Sequence, residues 1–153
     1  MMPRLFLDTN VLLDILLERP GYEPALDILQ LGADRKATLC TSYLSMANIA
    51  YVLRKEYCGG ILLPTLKQIS SLVEVLPMDN AQLQKAMLLS GPDFEDILQA
   101  VCAVSSGCRI ILTHNIKHFT IPRGLAAAWP QPEVLTPEAF LRTREERWLE
   151  LSD

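Results

Sequence analysis

The sequence lacks the marks of several protein classes. No uninterrupted apolar run approaches the roughly 18 residues that a membrane-spanning helix needs, and there is no repeat or low-complexity segment. The first residues, MMPRLFLDTN, place an aspartate inside what would be the apolar part of a signal peptide. We therefore expect a cytoplasmic protein with no membrane association.

Cysteines and histidines are few and form no metal-binding motif, and the basic residues form no stripe. The four cysteines form no C-x-x-C pair and only two histidines are present, which argues against a zinc site. The 18 acidic residues outnumber the 14 lysines and arginines, so the formal net charge is -4. A nonspecific nucleic-acid binder usually carries a basic stripe, and this composition does not favour one.

What is present is enough apolar sequence for one domain. The chain has 153 residues, 50% of them hydrophobic, and we expect a single domain over residues 1–153. Ser42 and Asn80 are expected to cap two of its helices. The predicted strands are 4–8, 37–41, 73–77, 109–113 and 134–135, and the predicted helices are 10–18, 23–34, 43–57, 64–71, 80–89, 93–105 and about 137–150.

This alternation of strands and helices predicts an α/β domain with a mostly parallel sheet. Ligands of such sheets bind outside the carboxyl ends of the strands. Asp8 ends the first predicted strand, and Thr113, His114 and Asn115 lie at the end of the fourth. If the first strand is near the centre of the sheet, these side chains converge on one crevice.

Asp8 is an unexpected residue in its surroundings. In LFLDTNVLLDILL, residues 5–17, it follows three apolar residues and is expected to be drawn toward the core. A buried carboxylate needs hydrogen bonds, an opposite charge or a metal ion. Two interpretations stay open from the residues alone: Asp8 caps the next helix, as Thr9 or Asn10 also could, or it belongs to a catalytic site.

Other polar residues are expected near the same ends of the strands. Asp93 is a good helix cap, and Asp96 would take the third helical position, where a negative charge suits the helix dipole. Asp96 shares a helix face with Ala100 and Ala103, so its carboxylate is expected to point inward. Asn48, among apolar neighbours, is either a satisfied half-buried amide or part of the same site.

Converging carboxylates with no set of histidines or cysteines favour a hard cation. If Asp8 and Asp96 were both ionised at close range, they would repel each other by about 4 kcal/mol at an effective dielectric near 20. A divalent cation removes that repulsion, and oxygen ligands select Mg²⁺ or Mn²⁺ over Zn²⁺. Such an ion can activate water and stabilise charge on a phosphoryl group, as in metal-dependent nucleases.

Four segments carry a family resemblance. LFLDTNVLLDILLERP, SYLSMANIAYVLRK, DFEDILQAVCAVSSGCRIILTHNIKHF and VLTPEAFL together span residues 5–141. D-T-N-V combined with D-F-E-D-x-x-x-A and I-x-T-x-N-x-x-x-F at these separations is a fairly specific pattern. In these segments the chain resembles the PIN-domain family, best known as endoribonucleases and as toxins of VapBC-type toxin–antitoxin pairs.

The resemblance implies a sheet of about five parallel strands in the order 3-2-1-4-5, flanked by helices, with an acidic pocket for Mg²⁺ or Mn²⁺. It implies that Asp8 and Asp96 are catalytic acids that bind the metal. Asp93 is a third acid, common in the D-F-E-D variant, and three acids can hold one ion. Thr113 matches a position that often supports the pocket, and Asn10 one that often orients Asp8.

The chain departs from the common family pattern at three positions. Asn48 stands where many PIN nucleases have Glu, and Asn115 stands where many have Asp. His118 precedes Phe119 where the most similar subgroup carries Asp-Phe. The amides can offer carbonyl oxygens, and His118 either contacts a phosphate or transfers a proton, or is a surface-loop histidine.

The hypothesis is therefore a metal-dependent endoribonuclease acting on RNA, with an antitoxin protein as a candidate partner and a homodimer expected. The alternative is a catalytically impaired PIN fold that binds RNA or protein, which Asn48, Asn115 and His118 favour. A phosphatase or receiver domain fits less well, because Asp8 lacks a second Asp two residues on and no Lys follows the last strand. The apolar residues 61–63 are either a dimer interface or core.

Overall fold

The sheet has the predicted parallel topology. The computed structural model describes residues 2–57, 60–89, 91–119 and 131–152, except for the side chains of residues 118 and 145–152. Within that part of the chain, five parallel strands are arranged in the order β3-β2-β1-β4-β5, which confirms the order that the resemblance implied. The strands are β1 (Arg4–Leu7), β2 (Thr38–Ser42), β3 (Glu74–Leu76), β4 (Ile110–Leu112) and β5 (Glu133–Leu135).

Helices connect the strands and cover both faces of the sheet. The described helices are α1 (Thr9–Leu16), α2 (Glu23–Ala33), α3 (Tyr43–Glu56), α4 (Leu62–Leu72), α5 (Asn80–Leu88), α6 (Phe94–Ser105) and α7 (Pro137–Ser152), with a 3₁₀ turn at Ile116–His118. Pro137 begins α7, as predicted, where its fixed φ and missing N–H are tolerated.

The central strand β1 divides the core in two. Leu5 and Leu7 face one apolar cluster, which includes residues of α1 to α4 and Phe140 of α7. Phe6, between them, faces a second cluster with Ala100 and other residues of α6. These three side chains of β1 are fully buried, as expected for an apolar strand with helices on both faces.

Several element boundaries differ from the predictions. Helix α5 is capped by Asp79, whose carboxylate accepts a hydrogen bond from the amide of Gln82, so the predicted cap Asn80 is instead the first helical residue. Helix α4 begins two residues earlier than predicted. Ile61 and Leu63 beside it are 57% and 67% exposed, which contradicts the core interpretation for these two residues. The Pro- and Ala-rich loop at 120–130 lies outside the described residues.

Among the described residues, no helix is both long enough and apolar enough to cross a membrane.

Candidate active site

A cavity of about 390 Å³ opens at the carboxyl ends of the strands. It brings together six of the eight site residues predicted from the sequence: Asp8, Asn10, Asn48, Asp93, Asp96 and Asn115. The seventh, Thr113, lies directly behind Asp8. The eighth, His118, ends the 3₁₀ turn after β4, and its side chain lies outside the described part of the structure.

Asp8 is both a helix cap and a buried member of this cavity. It is only 5% exposed, and its carboxylate accepts hydrogen bonds from the Thr9 amide at 2.8 Å and the Thr113 hydroxyl at 2.7 Å. Burial raises the pKa of Asp8, these two hydrogen bonds oppose the rise, and the nearby charges of Glu95 and Asp93 add to it. The two interpretations of Asp8 are therefore compatible.

Thr9 and Thr113 hold the Asp8 carboxylate, and the orienting role expected for Asn10 stays a prediction. Asn10 lines the cavity, but in the described structure the Asp8 oxygens are held by Thr9 and Thr113. As the N-cap of α1, Asp8 directs a carboxylate oxygen toward the backbone at the start of the helix. The Thr113 hydroxyl also accepts a hydrogen bond from the amide of Asn115, at 3.1 Å, which ties the loop after β4 to the same group.

Helix α6 presents acids to the opposite side of the cavity. Asp93 is its N-cap, as predicted, and accepts a hydrogen bond from the amide of Asp96 at 3.2 Å. Asp96 is half-buried, and its pKa is raised to about 7, first by burial and then by the negative charges of Asp93, Asp8 and Glu95. The negative charge of Asp8, at the end of β1, therefore contributes to the raised pKa of Asp96 across the cavity.

Glu95 is a member of the site that the sequence analysis did not select. It lines the cavity and accepts a hydrogen bond from Asn48 Nδ2 of helix α3 at 2.5 Å. Only its position between Asp93 and Asp96 in D-F-E-D could have indicated it. Because Glu95 engages the amide nitrogen, the carbonyl oxygen is the part of Asn48 left to face a cation.

A buried polar network lies beneath the cavity and joins three helices that line it. Ser45 Oγ accepts hydrogen bonds from Thr9 Oγ1 at 2.9 Å and from Gln99 Nε2 at 2.7 Å. Ser42 donates to Gln99 Oε1 and, as predicted, caps α3 by accepting from the Ser45 amide. All four side chains are buried, so α1, α3 and α6 are linked in one arrangement.

The loop after β4 is attached to α1 by a polar contact between His114 and Asp14. His114 Nε2 lies 2.5 Å from Asp14 Oδ2, and Arg19 lies 3.5 Å from the other oxygen of Asp14. This contact holds the loop that carries Asn115 against the helix that begins at Asp8.

The oxygen-rich lining suits a hard divalent cation bound by two carboxylates, but not one bound by three. Among the described residues, no three His, Cys, Asp or Glu side chains lie close enough to hold a metal ion together. The predicted joint ligand set of Asp8, Asp93 and Asp96 is therefore not assembled in this arrangement. Mg²⁺ is usually bound through one or two carboxylates and keeps several waters, so Asp8 and Asp96 fit that mode.

Fold and cavity together define a parallel α/β domain with an acidic cleft at the carboxyl ends of its central strands. Residues 4–117, more than half of the chain, match the family described as PIN domain. The chain belongs to the PIN domain family, which confirms the resemblance found in the sequence.

Known proteins resemble this chain over nearly its whole length. Ribonuclease VapC1 of Aquifex aeolicus (strain VF5) is 30% identical over 151 residues, which cover 95% of each protein. DNA-bound VapBC from Salmonella typhimurium has a TM-score of 0.59 and 21% identity, with 89% of this chain and 99% of that chain covered. A toxin–antitoxin complex from Klebsiella pneumoniae has a TM-score of 0.61 and 16% identity, with 87% of this chain and 97% of that chain covered. At such identities these two structures support the fold.

Proposed function

We propose that this PIN-domain protein is a metal-dependent endoribonuclease that hydrolyses RNA phosphodiester bonds. The observation that carries the proposal is the convergence of Asp8 with Asp96 in one cavity, where burial and neighbouring negative charges raise both pKa values. The similarity to Ribonuclease VapC1 supports the same activity. The preferred ion is Mg²⁺ or Mn²⁺, because the available ligands are oxygens.

The side chains have separate tasks in this proposal. Asp8 and Asp96 bind the ion, and the hydrogen bonds from Thr9 and Thr113 keep the Asp8 carboxylate in place. The second oxygen of exposed Asp93 can orient a water molecule or accept its proton. When bound, the divalent ion supplies positive charge that stabilises the phosphoryl oxygens and promotes deprotonation of water.

An RNA cleavage assay tests the function. The full chain is incubated with end-labelled single-stranded RNA and Mn²⁺ or Mg²⁺, beside Asp8→Asn, Asp96→Asn and the control Asp34→Asn, whose exposed carboxylate lies outside this cavity. We expect cleavage by the wild type and by the control, and none by the two site variants or after chelation. Unchanged cleavage by Asp8→Asn and Asp96→Asn would refute the proposal.

The binding-module alternative makes the opposite prediction. Asn48 and Asn115 line the cavity where many relatives were expected to have acids, and this observation favours a catalytically impaired fold. RNA binding without cleavage in the presence of either metal would support that alternative. A receiver domain would also need an acid after the third strand. The nearest such residue here, Asp79, caps α5 outside the cavity, so a receiver-type role is not supported.

We also propose that the chain is a cytoplasmic toxin with an antitoxin partner. The solved structures from Salmonella typhimurium and Klebsiella pneumoniae, which share its fold, contain toxin–antitoxin assemblies. Co-expression with the product of a neighbouring gene, followed by co-purification and relief of growth inhibition, tests this role. The homodimer stays a prediction, to be tested by light scattering of the wild type and of an Ile61→Ser, Leu63→Ser variant.

A further inference from the structure

Helix α3 carries a row of three different side chains leading away from the acids. Asn48, Tyr51 and Arg54 recur every third residue, so they are neighbours along one helix face. Each step advances about 4.5 Å along the helix axis. Asn48 touches Glu95 inside the cavity, Tyr51 also lines the cavity, and Arg54 follows Tyr51 outward.

Tyr51 is an aromatic side chain at the rim of the acidic cavity. It is 66% exposed, so its ring contributes little to the core although it lines the cavity. Tyr43, on the same helix, is 59% exposed but does not line the cavity. Exposed aromatic residues are common singly, and the position beside the acids is what distinguishes Tyr51.

Arg54 places a positive charge against this ring. Its guanidinium carbon lies 3.5 Å from the centroid of Tyr51, and its Nη1 donates to the main-chain oxygen of Tyr51. The guanidinium is thus held at the rim by two contacts with one residue. A stacked cation and ring combine the two features with which proteins bind single-stranded nucleic acid, a base platform and a phosphate contact.

We propose that Tyr51 and Arg54 form a subsite for the nucleotide next to the phosphate that is cleaved. A base of single-stranded RNA stacks on the exposed ring of Tyr51, and Arg54 contacts the adjoining phosphate. This inference rests on the proposed ribonuclease function, because the acids must hold the scissile phosphate. The net charge of -4 makes such a local cation important for holding a polyanion beside four carboxylates.

RNA binding by full-length variants tests the stacking contact. In an Asp96→Asn background that prevents hydrolysis, fluorescence anisotropy with a short single-stranded RNA compares Tyr51→Ala, Tyr51→Phe and Tyr43→Ala. We expect Tyr51→Ala to weaken binding about 5- to 100-fold, since base stacking on an aromatic ring is worth that much. Tyr51→Phe and the matched control Tyr43→Ala should bind like the background protein.

Salt dependence tests the phosphate contact. Arg54→Gln should lower the slope of log affinity against log salt by about one, the change expected for one lost phosphate contact. The control Arg109→Gln alters an exposed arginine just before β4, at the opposite ends of the strands, and should leave the slope unchanged. In the active protein, Tyr51→Ala should raise KM for RNA with little change in kcat.

The outcomes separate this inference from the proposed function. Suppose that the wild type cleaves RNA, and that Tyr51→Ala has the same RNA affinity and the same cleavage rate as the wild type. The subsite is then refuted and the ribonuclease function stands. If Tyr51→Ala leaves RNA binding unchanged but abolishes binding of a co-expressed protein, the surface is a protein interface and the subsite is again refuted. If the wild type neither binds nor cleaves RNA, both proposals fail.

Discussion

The Thr113 hydroxyl donates a hydrogen bond to Asp8 Oδ2 at 2.7 Å, although the two residues are 105 positions apart. The bond joins the end of β4 to the end of β1, two neighbouring strands of the sheet. Thr113 is fully buried, so the contact is shielded from water. It explains how a carboxylate that is 5% exposed is kept in the cavity before any cation binds.

Replacing Thr113 tests that explanation. Thr113→Val leaves one oxygen of buried Asp8 without its donor, and we expect a loss of about 1–3 kcal/mol in the free energy of unfolding. Thr113→Ser keeps the hydroxyl and should retain most of that stability. Urea unfolding monitored by circular dichroism measures both. Equal midpoints for the Val and Ser variants would show that the hydrogen bond is unimportant.

The raised pKa of Asp96 predicts a pH dependence of stability. Its pKa is about 7 in the folded chain without metal, against roughly 3.9 for an unfolded aspartate. At pH values between these two pKa values, the folded state binds the Asp96 proton more tightly than the unfolded state does. The contribution of that proton to stability is therefore complete below about pH 4 and is lost as the pH rises through 7. The raised pKa of Asp8 acts in the same direction.

Asp96→Asn should remove the loss of stability that the wild type shows as the pH rises. In chelator, we expect the stability of the variant relative to wild type to increase from pH 5 to pH 8, as measured by urea unfolding. Asp34→Asn serves as the control for removing a carboxylate from outside the cavity. A constant difference between Asp96→Asn and wild type over this range would contradict the proposed environment of Asp96.

The hydrogen bond between Asn48 and Glu95 predicts different effects of two substitutions. Glu95→Gln keeps a carbonyl oxygen that can accept from Asn48 Nδ2, whereas Glu95→Ala removes it. If Glu95 acts by orienting Asn48, Mn²⁺ affinity should fall more in the Ala variant than in the Gln variant. Calorimetric titration measures this, with Glu56→Ala as an exposed control on α3, the helix that carries Asn48. Equal losses would mean that the charge of Glu95 matters and its hydrogen bond does not.

Gln99 should be essential to the network under the cavity. Gln99→Leu has similar volume but removes the acceptor of the Ser42 hydroxyl and one of the two donors to Ser45 Oγ, and we expect a loss of about 1–3 kcal/mol in unfolding free energy. The exposed control Gln84→Leu should change stability by no more than about 0.5 kcal/mol. Mn²⁺ affinity should also fall for Gln99→Leu, because α6 carries Asp96. If Gln99→Leu were as stable as the wild type, Gln99 would not be essential to the network.

The fold was predictable because buried parallel strands leave clear apolar runs. β1 and β4 are such runs, and Asp8 and Thr113 follow them directly, so two site residues could be placed from local sequence alone. Boundaries were less accurate. Asp79 and Asn80 are both good caps, and local sequence does not decide which of the two begins the helix.

The contacts within the site were harder to predict. Asn48 and Glu95 are 47 residues apart, and their hydrogen bond depends on how α3 packs beside α6. Gln99 has no local signal for burial either, since its partners are distant in sequence: Ser42 ends β2 and Ser45 lies in α3. The hydrogen bond from Thr113 to Asp8 was hard to predict for a related reason, because Thr113 becomes a neighbour of Asp8 only when the sheet forms.

Direct counting of bound Mn²⁺ tests the central claim, that Asp8, at the end of β1, and Asp96 of α6 form one cation site. Chelator-treated protein is titrated with Mn²⁺ while the signal of unbound Mn²⁺ is followed by electron paramagnetic resonance. We predict one ion per wild-type chain, with affinity reduced at least about tenfold in both Asp8→Asn and Asp96→Asn, and unchanged in Asp34→Asn. No binding by the wild type, or equal binding by all four proteins, would contradict the account.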